Sequence, residues 1–234
     1  MDERRDGVEG AAAASARVRW RTPRVVRRAL RHHRLVDAWN VLRYGATAPR
    51  VALRAWIAPA QCEQAVQERF KLGGPLTRAA SGRVLGGDWD LDTREVLAMR
   101  KVRCCIAHWR DGVAWADTGI YEYMLRRIRR FGVADGCTTL DEVVGRYERL
   151  DRVFAVVARE RRLRPRDEVR PGAFRESGGI YVHFARDGRP LFGVGGFHRL
   201  AMGLALDLER IPVQVGVVHR AGIGRWRERL LEPP

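Results

Sequence analysis

Hydrophobic and polar positions alternate most regularly in the last third of the chain. Residues 180–184 (Ile-Tyr-Val-His-Phe) have the composition of a strand, and Arg186–Arg189 contains the Asp-Gly pair typical of a hairpin turn. Leu191-Phe192 continues as a second strand. Apolar residues then recur at helical spacing across 200–208, and residues 211–218 form a β-branched run. The pattern predicts a hairpin, a turn, a helix and a strand.

The turn between the second strand and the helix is rich in glycine and ends in His-Arg. Gly195 and Gly196 allow a ligand to approach the backbone closely. The first turn of a helix has N–H groups without intrahelical partners and a partial positive charge, which favour phosphate. We therefore predict that Gly195, Gly196, His198 and Arg199 bind phosphate. The alternative is a tight strand-to-helix turn in which His198 only caps the helix.

From Ile180 to Val218 this arrangement resembles the ParB/sulfiredoxin superfamily. In that superfamily a Gly-x-His-Arg or Gly-x-x-Arg turn opens a helix and holds nucleotide phosphates, and a short Ile-Pro-Val strand follows, here residues 211–213. Residues 150–164 are similar to the helix that precedes the hairpin. The resemblance implies an α+β fold with a small mixed sheet, a helical insertion or subdomain, and a bound nucleoside triphosphate, ATP or CTP, with Mg²⁺.

One position of the turn departs from the sulfiredoxin pattern. Phe197 stands where sulfiredoxins carry their catalytic cysteine, and a phenyl ring cannot attack a phosphoryl ester. The resemblance then implies nucleotide binding, with phosphate transfer to a small-molecule acceptor or nucleotide hydrolysis as possible activities. A protein that binds a partner or a sugar phosphate without turnover is the inactive alternative.

The rest of the chain is predicted as a helical middle between less regular ends. We expect an arm over residues 1–48, partly helical or disordered, a domain over 49–224 that includes a helical region at 94–162, and a tail over 225–234. Its predicted elements are a strand at 51–57, a helix at 61–70, and helices at 95–109, 118–130 and 140–162.

Three aspartates alternate after a glycine pair in residues 86–92. Asp88 and Asp90 could hold Mg²⁺ beside a nucleotide, because Mg²⁺ sites take one or two carboxylates together with phosphate oxygens. Either could instead act as a general base. The structural alternative is a turn at Gly86, a helix cap at Asp92 or Thr93, and Trp89 anchoring the loop in the core.

The formal charge is +16, and Lys71 and Lys101 are the only lysines, so arginine supplies nearly all of the positive charge. The densest run free of acidic residues is 17–34. It is typical of a solvated tail, of a helix that binds an acidic membrane or a partner, or of a nucleic-acid contact. Contact with nucleic acid would make the protein a DNA-binding, ParB-like regulator through Arg24, Arg27, Arg28 and Arg31.

Two classes of protein are disfavoured by composition. No stretch approaches the roughly 20 apolar residues of a membrane span, and the N-terminal alanines are too few for a secretory core. We therefore expect a cytoplasmic protein. The four cysteines lack the spacing of a zinc or redox site, which predicts that they are buried hydrophobes.

Overall fold

A computed structural model describes residues 23–67 and 74–234 of the chain. Within these residues the fold is a seven-stranded mixed sheet with six α-helices. The strands are β1 (Arg54–Ile57), β2 (Gln64–Val66), β3 (Val84–Leu85), β4 (Thr93–Glu95), β5 (Ile180–Phe184), β6 (Pro190–Phe192) and β7 (Ile211–His219). The helices are α1 (Pro23–Tyr44), α2 (Arg100–Trp109), α3 (Ile120–Phe131), α4 (Leu140–Glu160), α5 (Arg166–Val169) and α6 (Phe197–Ala205).

Strand β7 is the centre of the sheet. The strand order is β1-β7-β5-β6-β2-β4, and β3 also pairs with β7. On one edge β7 pairs antiparallel with β1 and then parallel with β3, and on the other edge it pairs parallel with β5. All nine residues of β7 are buried, as are all five of β5. Such burial explains their nearly continuous apolar sequences.

A bulge interrupts the β5–β7 ladder between Val182 and Phe184. The buried side chain of His183 satisfies the backbone there, because its Nδ1 accepts a hydrogen bond of 2.9 Å from the Val217 N–H. The imidazole packs so closely on Gly216 that a Cβ there would lie 2.7 Å from Nδ1. Burial, and then the positive charge of Arg78, lowers the pKa of His183 to about 3. His183 is thus a neutral part of the core.

The predicted hairpin, turn, helix and strand are confirmed as β5, β6, α6 and β7. The helices predicted at 95–109, 118–130 and 140–162 correspond to α2, α3 and α4, with later starts in the first two. Helix α4 begins with a capping box, since Thr139 accepts from the Glu142 N–H. It ends at Glu160, followed by Arg161 with a φ of 52°.

Two local predictions are wrong. The helix predicted at 61–70 is replaced by a 3-10 turn (Pro59–Gln61) and strand β2, which lies between β6 and β4; residues 68–70 lie outside the described part. Neither Asp92 nor Thr93 caps a helix, because Thr93 begins strand β4. Pairing with partners distant in sequence overrides the local helical pattern at both places.

The coarse prediction of an α+β fold with a small mixed sheet and a helical region is confirmed. The cysteines are buried as expected, and Trp89 anchors its loop in the core. The predicted tail is not peripheral at its start, because Trp226 is fully buried, packs on Phe184 and donates 2.9 Å to the Thr47 carbonyl. No helix within the described ranges is both long and apolar enough to span a membrane.

Candidate functional site

The glycine turn connects β6 to α6 and lies against the start of β5. Gly196 has a φ of 88°, and a Cβ on it would lie 2.8 Å from the Ile180 Cα, so only glycine fits there. Val194 also has a positive φ of 56°, which is strained for a β-branched residue. The Tyr181 N–H donates to the Gly195 carbonyl over 2.9 Å. The turn is therefore tightly fixed to the sheet.

An arginine that the sequence analysis did not select lies directly against this turn. A Cβ on Gly195 would be 2.6 Å from Nη2 of Arg78, so the glycine makes room for the guanidinium. Arg78 donates from Nη2 to the Gly179 carbonyl over 2.7 Å and from Nη1 to Oε1 of Gln214 over 2.5 Å. Its guanidinium lies 5.1 Å from the centre of the Tyr181 ring.

Two further arginines surround the turn. Arg199, in the first turn of α6, donates over 2.7 Å to the Arg164 carbonyl. Arg166 begins α5 and lies over Gly178, on which a Cβ would be 3.7 Å from Nη2. Burial lowers the pKa of both Arg78 and Arg199, and the positive charge of Arg166 lowers each further. Arg78, Arg166 and Arg199 are called the arginine cluster below.

One fully buried acid lies beside the arginine cluster. Oε2 of Glu176 accepts from the Arg166 N–H over 3.0 Å and from Nε of Arg54 over 3.3 Å. Burial raises the pKa of Glu176, although Arg199 and Arg54 act in the opposite direction. Asp167 pairs with Arg54 at 2.5 Å. Two acids, Glu176 and Asp167, thus lie near four arginines, namely Arg54 and the arginine cluster. Among the described residues, both acids pair with Arg54, and no arginine of the cluster has a carboxylate oxygen within 4.0 Å.

His198 has a different role from the one predicted. Its Nε2 lies 3.4 Å from the hydroxyl of buried Tyr147, and the two rings meet edge to face. Burial, and then the positive charge of Lys101, lowers the pKa of His198 to about 3. The imidazole is therefore neutral near pH 7. It can offer a hydrogen bond to a ligand but no positive charge.

A pocket of about 510 Å³ begins beside Arg199 and runs between α4 and α6. His198 and Arg199 line it, whereas Gly195 and Gly196 do not. Its walls are aliphatic, from Leu150, Val153, Val156, Val157, Leu163, Val169 and Met202. Arg149, Arg152, Arg162, Arg164 and Glu160 line it as well, and Glu160 pairs with Arg164. Pockets of this size hold small molecules, and the composition suits a ligand with one apolar and one anionic part.

The structure does not bring Asp88 and Asp90 to the glycine turn. Both contact Arg186, in the hairpin after β5, whereas the glycine turn contacts the opposite end of β5 at Ile180. At about 3.3 Å per residue, β5 alone separates these ends by about 13 Å. From the sequence, the aspartates and the glycine turn are predicted to share one reaction centre. In the structure they lie at opposite ends of β5.

The contacts of Asp90 are those of a structural residue. It is 1% exposed and receives the Arg186 N–H at 2.9 Å and Arg186 Nε at 2.9 Å. Burial alone would raise the pKa of Asp90, but these hydrogen bonds hold it below its usual value. Asp88 is 80% exposed and pairs with the same guanidinium at 2.7 Å. In the described residues no group of three or more acidic, histidine or cysteine side chains could hold a metal. Both carboxylates are engaged by the Arg186 guanidinium, at the end of β5 far from the glycine turn.

The predicted nucleic-acid residues Arg24, Arg27, Arg28 and Arg31 lie on α1, so this part of the arm is helical. Their side chains, and all of residues 1–22, lie outside the described part.

Comparison with known proteins adds no relative. No protein-family model matches the chain, and no curated protein or solved structure matches it either. The resemblance to ParB/sulfiredoxin domains therefore stays a prediction from residues 180–218.

Sequence reasoning missed Arg78, Arg166, Glu176 and Gln214. Arg78 is 101 residues from Gly179 and 136 from Gln214 along the chain, so no local pattern joins them. A weak signal existed for Gln214, because it is a polar residue within the apolar run of β7 and is only 2% exposed. A buried amide requires hydrogen-bond partners, and here they are Arg78 and the Gly178 N–H.

Proposed function

We propose that this protein binds a phosphate-bearing small molecule, a nucleotide in the first instance, at the glycine turn that opens α6. The observation that carries the proposal is the guanidinium of Arg78 in the space beside Gly195, with Arg199 in the first turn of α6. Arg166, which lies over Gly178, adds a third positive charge that acts on both. The first turn of α6 adds N–H groups without intrahelical partners, since Leu200 is the first to donate back, to the Gly196 carbonyl.

Electrostatics favours an anion at this position. The positive charge of Arg166 lowers the pKa of both Arg78 and Arg199, and a bound phosphate would relieve this repulsion. Guanidinium groups also match phosphate oxygens in geometry and form strong charge-assisted hydrogen bonds. Arg78 is already oriented by Gln214 and Gly179, so little conformational entropy would be lost when it binds.

The neighbouring pocket between α4 and α6 would receive the remainder of the ligand. Arg199 belongs to both the cluster and the pocket wall, so it would lie between the phosphate and the apolar part. The resemblance to ParB/sulfiredoxin domains independently predicts a nucleotide phosphate at this turn. Asp88 and Asp90 belong to a separate ion-pair network, so we propose binding without assigning either of them to catalysis or to Mg²⁺.

Calorimetric titration tests the proposal. The full-length protein is titrated with ATP, CTP and GTP, and with adenosine and cytidine as ligands without phosphate. Arg199→Ala and Arg166→Ala should each weaken nucleotide affinity about tenfold to a hundredfold, the contribution of one or two charged hydrogen bonds. Arg189→Ala is the matched control, because Arg189 is an exposed hairpin arginine paired with Asp187.

Three outcomes would reject the proposal. The first is no binding of any nucleotide by the wild-type protein at millimolar concentration. The second is equal affinity for nucleotide and nucleoside, which would place recognition outside the cluster. The third is that Arg189→Ala weakens binding as much as Arg199→Ala does, since the affinity would then reflect overall charge.

A further inference from the structure

Helix α1 carries an exposed apolar stripe. Leu35, Trp39 and Leu42 are 71%, 59% and 80% exposed. Their spacing of four and three residues places them on one side of the helix, which we call the outward face of α1. Large apolar side chains grouped in this way on a protein surface mark an interaction site.

The opposite side of α1 is fixed to the domain, so the outward face cannot turn inward. Asn40 is buried and donates from Nδ2 to the carbonyls of Pro49 and Gly82, over 2.9 and 2.6 Å. Asp37 accepts from the Val51 N–H at 2.7 Å and pairs with Arg175 at 2.8 Å. These contacts hold the helix in one rotation about its axis.

The charge of this surface is strongly positive. Helix α1 contains six arginines and a single acid, Asp37, whose carboxylate is engaged with Arg175. Beside the outward face lies a groove of about 430 Å³ in which Arg43, Arg83 and Arg220 accompany Leu35, Trp39 and Leu85. Within the described part of the chain none of these three arginines forms an ion pair. The surface therefore combines exposed leucine and tryptophan with unneutralised guanidinium groups.

We propose that the outward face of α1 and its arginine groove bind the surface of an anionic lipid bilayer. A helix that lies in a membrane interface has such a division, with Trp and Leu entering the acyl boundary and arginines contacting lipid phosphates. Nucleic acid fits less well, because Leu35 and Leu42 would gain nothing against a phosphate backbone. A second copy of the chain also fits less well, because it would bring two arginine-rich helices together and their positive charges would repel each other. The proposal does not depend on the anion site at the glycine turn.

Vesicle flotation with the full-length protein tests the proposal. Vesicles contain phosphatidylcholine alone, or equal parts of phosphatidylcholine and phosphatidylglycerol. We expect binding to the anionic vesicles that weakens with added salt and is slight without phosphatidylglycerol. Replacing both Trp39 and Leu42 with alanine should lower partitioning at least about tenfold, by removing the inserted side chains. Arg43→Gln and Arg83→Gln should each lower it about fivefold.

Matched controls distinguish an effect specific to the outward face of α1 from the general effect of removing any exposed leucine or arginine. Leu97→Ala removes an equally exposed leucine, 58% accessible, that lies outside α1, and Arg189→Gln removes an exposed arginine of the hairpin. Both controls should bind as the wild type does. Equal binding to both vesicle types would overturn the proposal, as would a loss in the controls equal to that in the α1 variants.

Two other results would assign the surface to a different occupant. In the first, vesicles are not bound, and duplex DNA is bound in a way that depends on the arginines but not on Trp39 or Leu42. In the second, light scattering shows a dimer that the Trp39 and Leu42 substitutions dissociate. Either result would overturn the lipid proposal and name nucleic acid or a second copy instead.

Discussion

Substitution of Gly195 by alanine probes the point at which the glycine turn and the arginine cluster meet. The added methyl group would lie 2.6 Å from Nη2 of Arg78, closer than non-bonded atoms approach. Arg78 must then move away from its two acceptors, Oε1 of Gln214 and the Gly179 carbonyl. We expect the variant to fold with a displaced guanidinium and a weaker phosphate site.

The cost follows from the hydrogen bonds that are lost. A hydrogen bond from a charged donor contributes about 1.5 to 3 kcal/mol, and the lower value suits a side chain that keeps some access to water. Two such bonds give about 3 kcal/mol. Alanine restricts the unfolded chain and returns about 0.4–1 kcal/mol. The free energy of unfolding should therefore fall by about 2 kcal/mol.

A double-mutant cycle read by urea denaturation tests the cause. In the Arg78→Ala background the space beside Gly195 is open, so Gly195→Ala should no longer destabilise the protein and should raise the free energy of unfolding by about 0.4–1 kcal/mol. Gly86→Ala is the control for glycine replacement, because a Cβ at Gly86 meets nothing within 4 Å. An equal cost of Gly195→Ala with and without Arg78 would refute this reasoning, since the clash would then lie elsewhere in the turn.

Two further predictions concern buried charge. The folded protein holds the pKa of His183 at about 3, below the unfolded value of 6.5, so its contribution to stability is present above pH 6.5 and is lost as pH falls. Because the pKa of His198 is also about 3 in the folded protein, urea midpoints should show a loss of about 4 kcal/mol between about pH 7 and pH 5, about 2 kcal/mol from each histidine. His183→Asn, which keeps an acceptor for Val217, should remove about half of that loss; an unchanged loss in the variant would assign it to other groups. Asp90→Asn should destabilise the protein by about 3 kcal/mol by removing the buried charge that Arg186 pairs with, which leaves only the exposed Asp88 as its partner, while nucleotide affinity stays the same. A selective loss of affinity with unchanged stability would restore Asp90 to the ligand site.

The elements that could be predicted from the sequence are those whose structure is set locally. The Asp187-Gly188 turn, the Thr139 capping box and the β-branched run of β7 each specify a conformation over a few residues, and each is present. Strand β2 was missed because it is only three residues long and depends on β6 and β4 for its hydrogen bonds. Three residues show too little alternation of apolar and polar positions to be recognised as a strand when the surrounding residues 61–70 have helical spacing.

The candidate site likewise contains residues that local sequence could identify and residues that only long-range pairing brings together. Gly195, Gly196 and Arg199 could be selected because a helix N-terminus and its glycines are adjacent in sequence. Arg78 could not, because its place beside Gly195 is set by the Gly179 carbonyl and by Gln214, residues that β5 and β7 bring together. The same long-range pairing moves Asp90 to the other end of β5, where Arg186 engages it. A local motif therefore predicts where an anion would bind, but only the sheet determines which charges surround that position. This is why the Arg78–Gly195 pair tests the proposed site more directly than any residue of the motif alone.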